Sequence, residues 1–179
     1  KLTFIRHSDA VALFPGGFGT QDEAFETLTL VQTGKTQLMP LVLIDKPGGT
    51  YWKTWEKHVR EHLLRNELIS TEDLGFWKIT DDPAEAVKWV ARFYRNFHSY
   101  RFVRGELVIR LQHAPSETAL EALNEDFADI IEGEPVKSID VTEDERGDDD
   151  WVDLPRIAFG FDRKSYARLH ELIGVLNNY

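Results

Sequence analysis

Ala10-Val11-Ala12-Leu13-Phe14-Pro15-Gly16-Gly17-Phe18-Gly19-Thr20-Gln21-Asp22-Glu23 is the stretch whose reading decides the fold. A short apolar run, broken by proline and glycines and then opening into helical periodicity, reads as a buried parallel strand, a tight loop and a helix start. In α/β proteins that junction faces the ligand crevice at the carboxyl ends of the strands. Glycine lets the backbone approach an anionic group closely, and free N–H groups at the helix start point toward it. No Lys followed by Ser or Thr occurs in the loop, so it is not a nucleoside-triphosphate P-loop. It suggests a monophosphate or a sugar phosphate.

Working outward, Ala24, Phe25, Leu28 and Val31 recur at helical spacing and predict a helix over residues 20–34, with Gly34 at its C-cap. Leu41-Val42-Leu43-Ile44 predicts a second buried parallel strand, and Pro47-Gly48-Gly49 a loop on the same side as the first. Residues 52–64 read as a helix with Trp52, Trp55, Val59 and Leu63 on one face. Residues 76–79 read as a third strand, and Asp81-Asp82-Pro83 as the start of a helix running to about residue 98. Strand alternating with helix is α/β logic. Residues 1–8 read as the tail of an amphipathic helix entering the first strand, with no preceding strand. The expectation is therefore the C-terminal portion of a Rossmann-like parallel sheet flanked by helices, spanning residues 1–98 of a chain that is longer in nature. Beyond residue 99 the pattern predicts a small α+β domain (βαββα, residues 99–179). Its strands fall over 103–111, 136–141 and 155–161, and its helices over 115–131 and 163–176.

Composition narrows the function classes. Hydrophobic residues make up 42% and aromatics 12% of the 179 residues, which describes a folded protein with one good core and a small appendage. No apolar run approaches the roughly 20 residues that a membrane helix needs. The formal net charge of −10 argues against nucleic acid or an anionic membrane as partner. The absence of cysteine excludes disulfides, thiolate metal sites and cysteine nucleophiles. A cytoplasmic location fits these features. Residues 132–153 hold 10 acidic and 2 basic side chains, and such a run reads as a solvated loop rather than a metal or basic-partner site.

Lys1-x-x-Phe4-x-x-x-Ser8-Asp9-Ala10 followed by Pro15-Gly16-Gly17-x-Gly19-Thr20-x-x-Glu23 closely resembles the LONELY GUY family of nucleotide phosphoribohydrolases, many of which were once labelled lysine decarboxylases. Every fixed position of the family loop Pro-Gly-Gly-x-Gly-Thr-x-x-Glu is matched. Leu30-Val31-Gln32-Thr33-Gly34-Lys35 and Pro40-Leu41-Val42-Leu43 extend the likeness, which covers residues 1 to about 98. Residues 99–179 look like the extra C-terminal domain of longer members. The resemblance implies a dimeric Rossmann-like enzyme that needs no cofactor. It would hydrolyse the N-glycosidic bond of nucleoside 5′-monophosphates, cytokinin ribotides among them, to a free base and ribose 5-phosphate. It also implies that Lys1 is the lysine of the family's Arg-Lys motif.

Glycosidic hydrolysis passes through an oxocarbenium-like sugar, which a carboxylate stabilises or attacks with activated water. The resemblance assigns that role to Glu23, while Thr20-x-x-Glu23 also has the spacing of a capping box. Gly16, Gly17, Gly19 and Thr20 would bind the phosphate, with Lys1 adding positive charge. The alternative is a strand-to-helix turn that needs glycine only for positive φ. His58-Val59-Arg60-Glu61-His62 has the spacing of inverted zinc metallopeptidases, but no third ligand is evident and a solvated helix face explains it better. A carrier that binds a phosphate ligand without turnover is the second functional reading.

Overall fold

Leu41–Ile44 is apolar throughout because it is buried on both faces. As β2 it lies between two parallel neighbours, β1 (Val11–Leu13) and β3 (Trp77–Thr80), in a sheet of order β1-β2-β3. Leu41 pairs with Val11 on one side and Trp77 on the other. This computed structural model describes residues 2–149 and 151–179, so Lys1 lies outside the described residues. The chain forms two units, Lys1–Arg92 and Phe93–Tyr179.

In the first unit α1 (Leu2–Arg6) leads into β1, α2 (Phe18–Gln32) follows it, α3 (Tyr51–His58) follows β2 and α4 (Pro83–Phe93) follows β3. The α/β alternation read from the sequence is present. α2 is displaced two residues toward the N-terminus relative to that reading, because Gly17 rather than Thr20 is its N-cap. At its other end Gly34 (φ 65°) takes the left-handed conformation. Gly34 N–H donates to the Val31 carbonyl at 3.1 Å and Lys35 N–H to the Leu30 carbonyl at 2.9 Å, the two bonds of a Schellman motif. The expected helix over 52–64 is α-helical only to His58 and then widens into a π-helix over Val59–Leu64. Val42, Ile44 and Ala86 pack together, with Trp89 and Val90 of α4 against them.

The helix expected to reach residue 98 stops at Phe93. Asn177, which caps the last helix of the chain, takes over the backbone groups there: its Nδ2 donates to the Phe93 carbonyl at 2.6 Å. Its Oδ1 accepts from Asn96 and Phe97 N–H at 2.8 Å each. A buried side chain far along the chain therefore ends a helix that local periodicity would continue.

The second unit begins with a hairpin rather than one strand. β4 (Phe97–Val103) and β5 (Glu106–Leu111) are joined by Arg104 and Gly105, both at positive φ (50° and 100°), the conformation of a two-residue hairpin turn. α5 (Glu117–Asp126), β6 (Lys137–Ile139), α6 (Glu143–Gly147), β7 (Arg156–Phe159) and α7 (Tyr166–Leu176) follow. The antiparallel sheet runs β4-β5-β7-β6.

The acidic segment is not merely a solvated loop. Thr142 and Glu145 form a capping box that starts α6. Glu145 is 0% exposed, with Arg110 Nε 2.8 Å from its Oε1 and Arg156 Nε 3.6 Å from its Oε2. Arg101 pairs with Asp148 at 3.0 Å and Arg104 with Asp144 at 3.1 Å. The partner of the acidic run is thus its own sheet.

Candidate functional site

The loops leaving β1, β2 and β3 meet at the carboxyl ends of the strands around a cleft of about 780 Å³. Phe14 and Pro15 line it from the first loop, Asp45, Lys46 and Tyr51 from the second, and Asp81 from the third. This is where parallel sheets bind ligands, because the strand-to-helix turns converge there. The loops brace one another. Gly48 N–H donates to Asp81 Oδ2 at 2.8 Å. Asp45 accepts from Lys46 N–H at 2.9 Å and Trp52 N–H at 3.4 Å, so its carboxyl holds its own loop. At the end of β3 the Thr80 hydroxyl donates to Glu85, and this bond, followed by Lys78, holds the Glu85 carboxyl below the usual carboxylate range.

Tyr51 ties the second loop to the glycine-rich one. Its hydroxyl donates to the Gly16 carbonyl at 2.6 Å and accepts from Gln21 Nε2 at 2.5 Å. The sequence reading missed Tyr51; its signal is position alone, directly after the Pro47-Gly48-Gly49 loop. Asp81, in the sequence part of a helix start, also holds the neighbouring loop through its carboxyl.

The start of α2 shows what the glycines do within the chain. Gly17 is the N-cap at φ −89°, and no side chain caps the helix. The first intrahelical bond is Gln21 N–H to the Gly17 carbonyl at 3.2 Å, so the N–H groups of Phe18, Gly19 and Thr20 have no acceptor within the helix. No acidic residue falls in the first turn. Thr20 is the third helical residue, so Thr20 and Glu23 do not form a capping box, and that alternative for Glu23 falls. The turn alternative falls as well, because Gly16, Gly17 and Gly19 are not among the glycines at positive φ. The three differ in surroundings. A Cβ on Gly16 would stand 2.2 Å from Thr20 Oγ1, whereas one on Gly17 or Gly19 would meet nothing within 4 Å.

Thr20, Glu23 and Thr27 are spaced to share one face of α2. Glu23 and Thr27 line a second cavity of about 530 Å³ along β1 and Ile5, and Glu23 is not among the residues lining the 780 Å³ cleft. The buried Thr27 hydroxyl has no hydrogen-bond partner among the described residues. The structure therefore brings Gly16, Gly17, Gly19, Thr20 and Glu23 onto one loop and the first turns of one helix.

The His58 and His62 rings lie with centroids 4.8 Å apart, tilted by 39°, and Glu61 pairs with Lys57 at 3.7 Å. Among the described residues no third His, Asp or Glu joins them in a metal-binding group. Among the same residues no helix is long and apolar enough to cross a membrane. A family model described as possible lysine decarboxylase matches residues 1–90. No curated protein matches the chain.

Proposed function

The chain belongs to the family described as possible lysine decarboxylases, the LONELY GUY-like proteins, and from that membership we propose that it carries the phosphate loop and catalytic carboxylate of an N-glycosidase acting on nucleoside 5′-monophosphates. The observation that carries this reading is the open space at Gly17 and Gly19. Neither backbone conformation nor packing requires glycine at these two positions. What the missing Cβ atoms leave is room for a group from outside the chain to approach the helix start.

The N–H groups of Phe18, Gly19 and Thr20, with the Thr20 hydroxyl, would hold the 5′-phosphate at the positive end of α2. Lys1, assigned through the resemblance, would add a positive charge. Glu23 would act on the sugar one turn along. The glycosidic bond breaks with its electron pair leaving on the base nitrogen, which takes up a proton from solvent, and Glu23 later returns one to solvent. Water adds its oxygen to C1′, and Glu23 accepts the proton that water loses while its charge stabilises the oxocarbenium-like sugar. The products are a free base and ribose 5-phosphate. The enzyme would act as a homodimer, which light scattering tests.

The family description names decarboxylation, which normally uses a pyridoxal-type aldehyde on a lysine shielded from water. Lys46, the one lysine among the described residues lining the cleft, is solvent-exposed. The residues present do not fit that group.

The test is chromatographic detection of free base from purine, pyrimidine and isopentenyl-modified 5′-monophosphates. It uses the natural protein, including any residues that precede Lys1. Base release supports the glycosidase and names its substrate class. Saturable nucleotide binding with no base from any member of the panel would establish the carrier reading instead.

A further inference from the structure

The sheet of the second unit gathers cations on one face. Arg110 of β5 pairs with Arg156 of β7, and Arg101 of β4 and Lys137 of β6 lie in the next row, joined through Val108 and Ala158. Residues in register across a sheet, and those two apart along a strand, share a face. With strands about 4.8 Å apart, the cations span roughly 14 Å, and Arg104 follows in the hairpin turn. Val103, Val108 and Ala158 form the apolar centre of this face.

Residues 140–149 meet this face with six acidic side chains and one basic, Arg146. Each of the four arginines finds a carboxylate there. Glu145 lies 2.8 Å from Arg110 and 3.6 Å from Arg156, and Asp148 lies 3.0 Å from Arg101. Asp144 and Glu143 stand 3.1 and 3.3 Å from Arg104. What holds the segment down is nearly all charge. Glu145 is its only buried residue, and none of its apolar side chains is buried. The Arg104 and Glu143 side chains are 69% and 86% exposed, and exposed pairs contribute little and are screened by salt. Segments with few buried apolar contacts open at a lower free energy than the core.

The buried end of this latch is imperfect. Arg110 and Arg156 share Glu145, and the buried Arg156 Nε forms no hydrogen bond among the described residues. One carboxylate brings two oxygens to two guanidinium forks, whereas a chain of phosphates brings several oxygens in the geometry that arginine grips bidentately. We propose that residues 140–149 are a self-masking strap: they occupy in cis a face that binds an extended anion of several phosphate groups, and such an anion displaces them. The breadth of the cation rows favours a chain of phosphates over a single one. This face and the start of α2 share no residue, so either site can fail without the other.

The test is hydrogen–deuterium exchange of the full chain, read by mass spectrometry at one ionic strength in sodium chloride, sodium sulfate or sodium tripolyphosphate. Saturating tripolyphosphate should speed exchange in residues 140–149 at least tenfold while β5 and β7 stay protected. Sulfate should match chloride, since screening is held constant. Calorimetry supplies the second measurement. The triple variant Glu143→Gln, Asp144→Asn, Asp148→Asn, at exposed positions, removes three competing carboxylates and should bind tripolyphosphate about tenfold more tightly. Arg101→Gln with Arg104→Gln should bind it about tenfold more weakly. Strap exchange that tripolyphosphate leaves unchanged would overturn the inference, as would a triple variant that binds no more tightly than the parent. Binding at the start of α2 alone would give both of those results.

Discussion

Gly19→Ala separates what the fold needs from what a ligand needs. Gly19 is the second residue of α2, its φ is not positive, and a Cβ there meets nothing within 4 Å. Alanine is favoured over glycine within a helix by about 0.5–1 kcal/mol, partly because the unfolded chain loses freedom. The variant should therefore be as stable as the parent or more stable by about 0.5 kcal/mol, read from urea unfolding followed by circular dichroism. Binding should fall at least tenfold, since the methyl group adds bulk at the helix start, where three N–H groups have no acceptor within the helix. Gly16→Ala is the control of opposite sign. Its Cβ would stand 2.2 Å from Thr20 Oγ1 and 3.0 Å from Thr20 Cβ, an overpacking cost of about 1–3 kcal/mol. Thr20→Ala in the same chain removes the nearer atom and should recover about 1 kcal/mol, a coupling visible in a double-mutant cycle. A destabilised Gly19→Ala, or one that keeps full nucleotide affinity by calorimetry, would refute the reasoning.

Tyr51→Phe removes the bonds to Gly16 and Gln21 at a solvent-accessible loop, so stability should drop by only about 1 kcal/mol while nucleotide affinity falls several-fold. Glu145→Ala leaves the buried guanidinium groups of Arg110 and Arg156 without their carboxylate and should cost about 3–5 kcal/mol in urea unfolding. Arg104→Ala, which breaks only exposed pairs, should stay within about 1 kcal/mol. Burial pushes the His170 imidazole down to about 4, so the unfolded chain takes up a proton that the folded chain refuses. This residue's contribution is complete above about pH 6.5 and should shrink by about 3 kcal/mol as pH falls to 4. His170→Gln should flatten that part of the stability–pH curve.

The parallel sheet was legible because Leu41–Ile44 is apolar at every position, a pattern that only burial on both faces explains. The glycine-rich junction was legible for the same local reason. What local patterns missed was settled at long range or by a short signal left unused. Asn177 stops α4 from a distance of about eighty residues along the chain. Arg104-Gly105 carries a two-residue hairpin turn in plain view, yet the flanking apolar residues suggested one strand. The capping box sought at Thr20-x-x-Glu23 exists instead at Thr142-x-x-Glu145, inside a run read as solvated acid. Within that run Glu145 meets arginines from β5 and β7, a pairing no spacing within the segment predicts. At the site, the loop residues were named from the sequence, but the Tyr51 brace depends on two loops meeting.

Base release by the natural protein and by Glu23→Gln, measured side by side on the best 5′-monophosphate, tests the central claim most directly. Glu23 does not cap α2 and glutamine keeps its shape, so the variant should keep its circular dichroism spectrum and nucleotide affinity while base release falls at least a hundredfold. Release at the wild-type rate from a folded Glu23→Gln would contradict the assignment of Glu23 and with it the proposed chemistry.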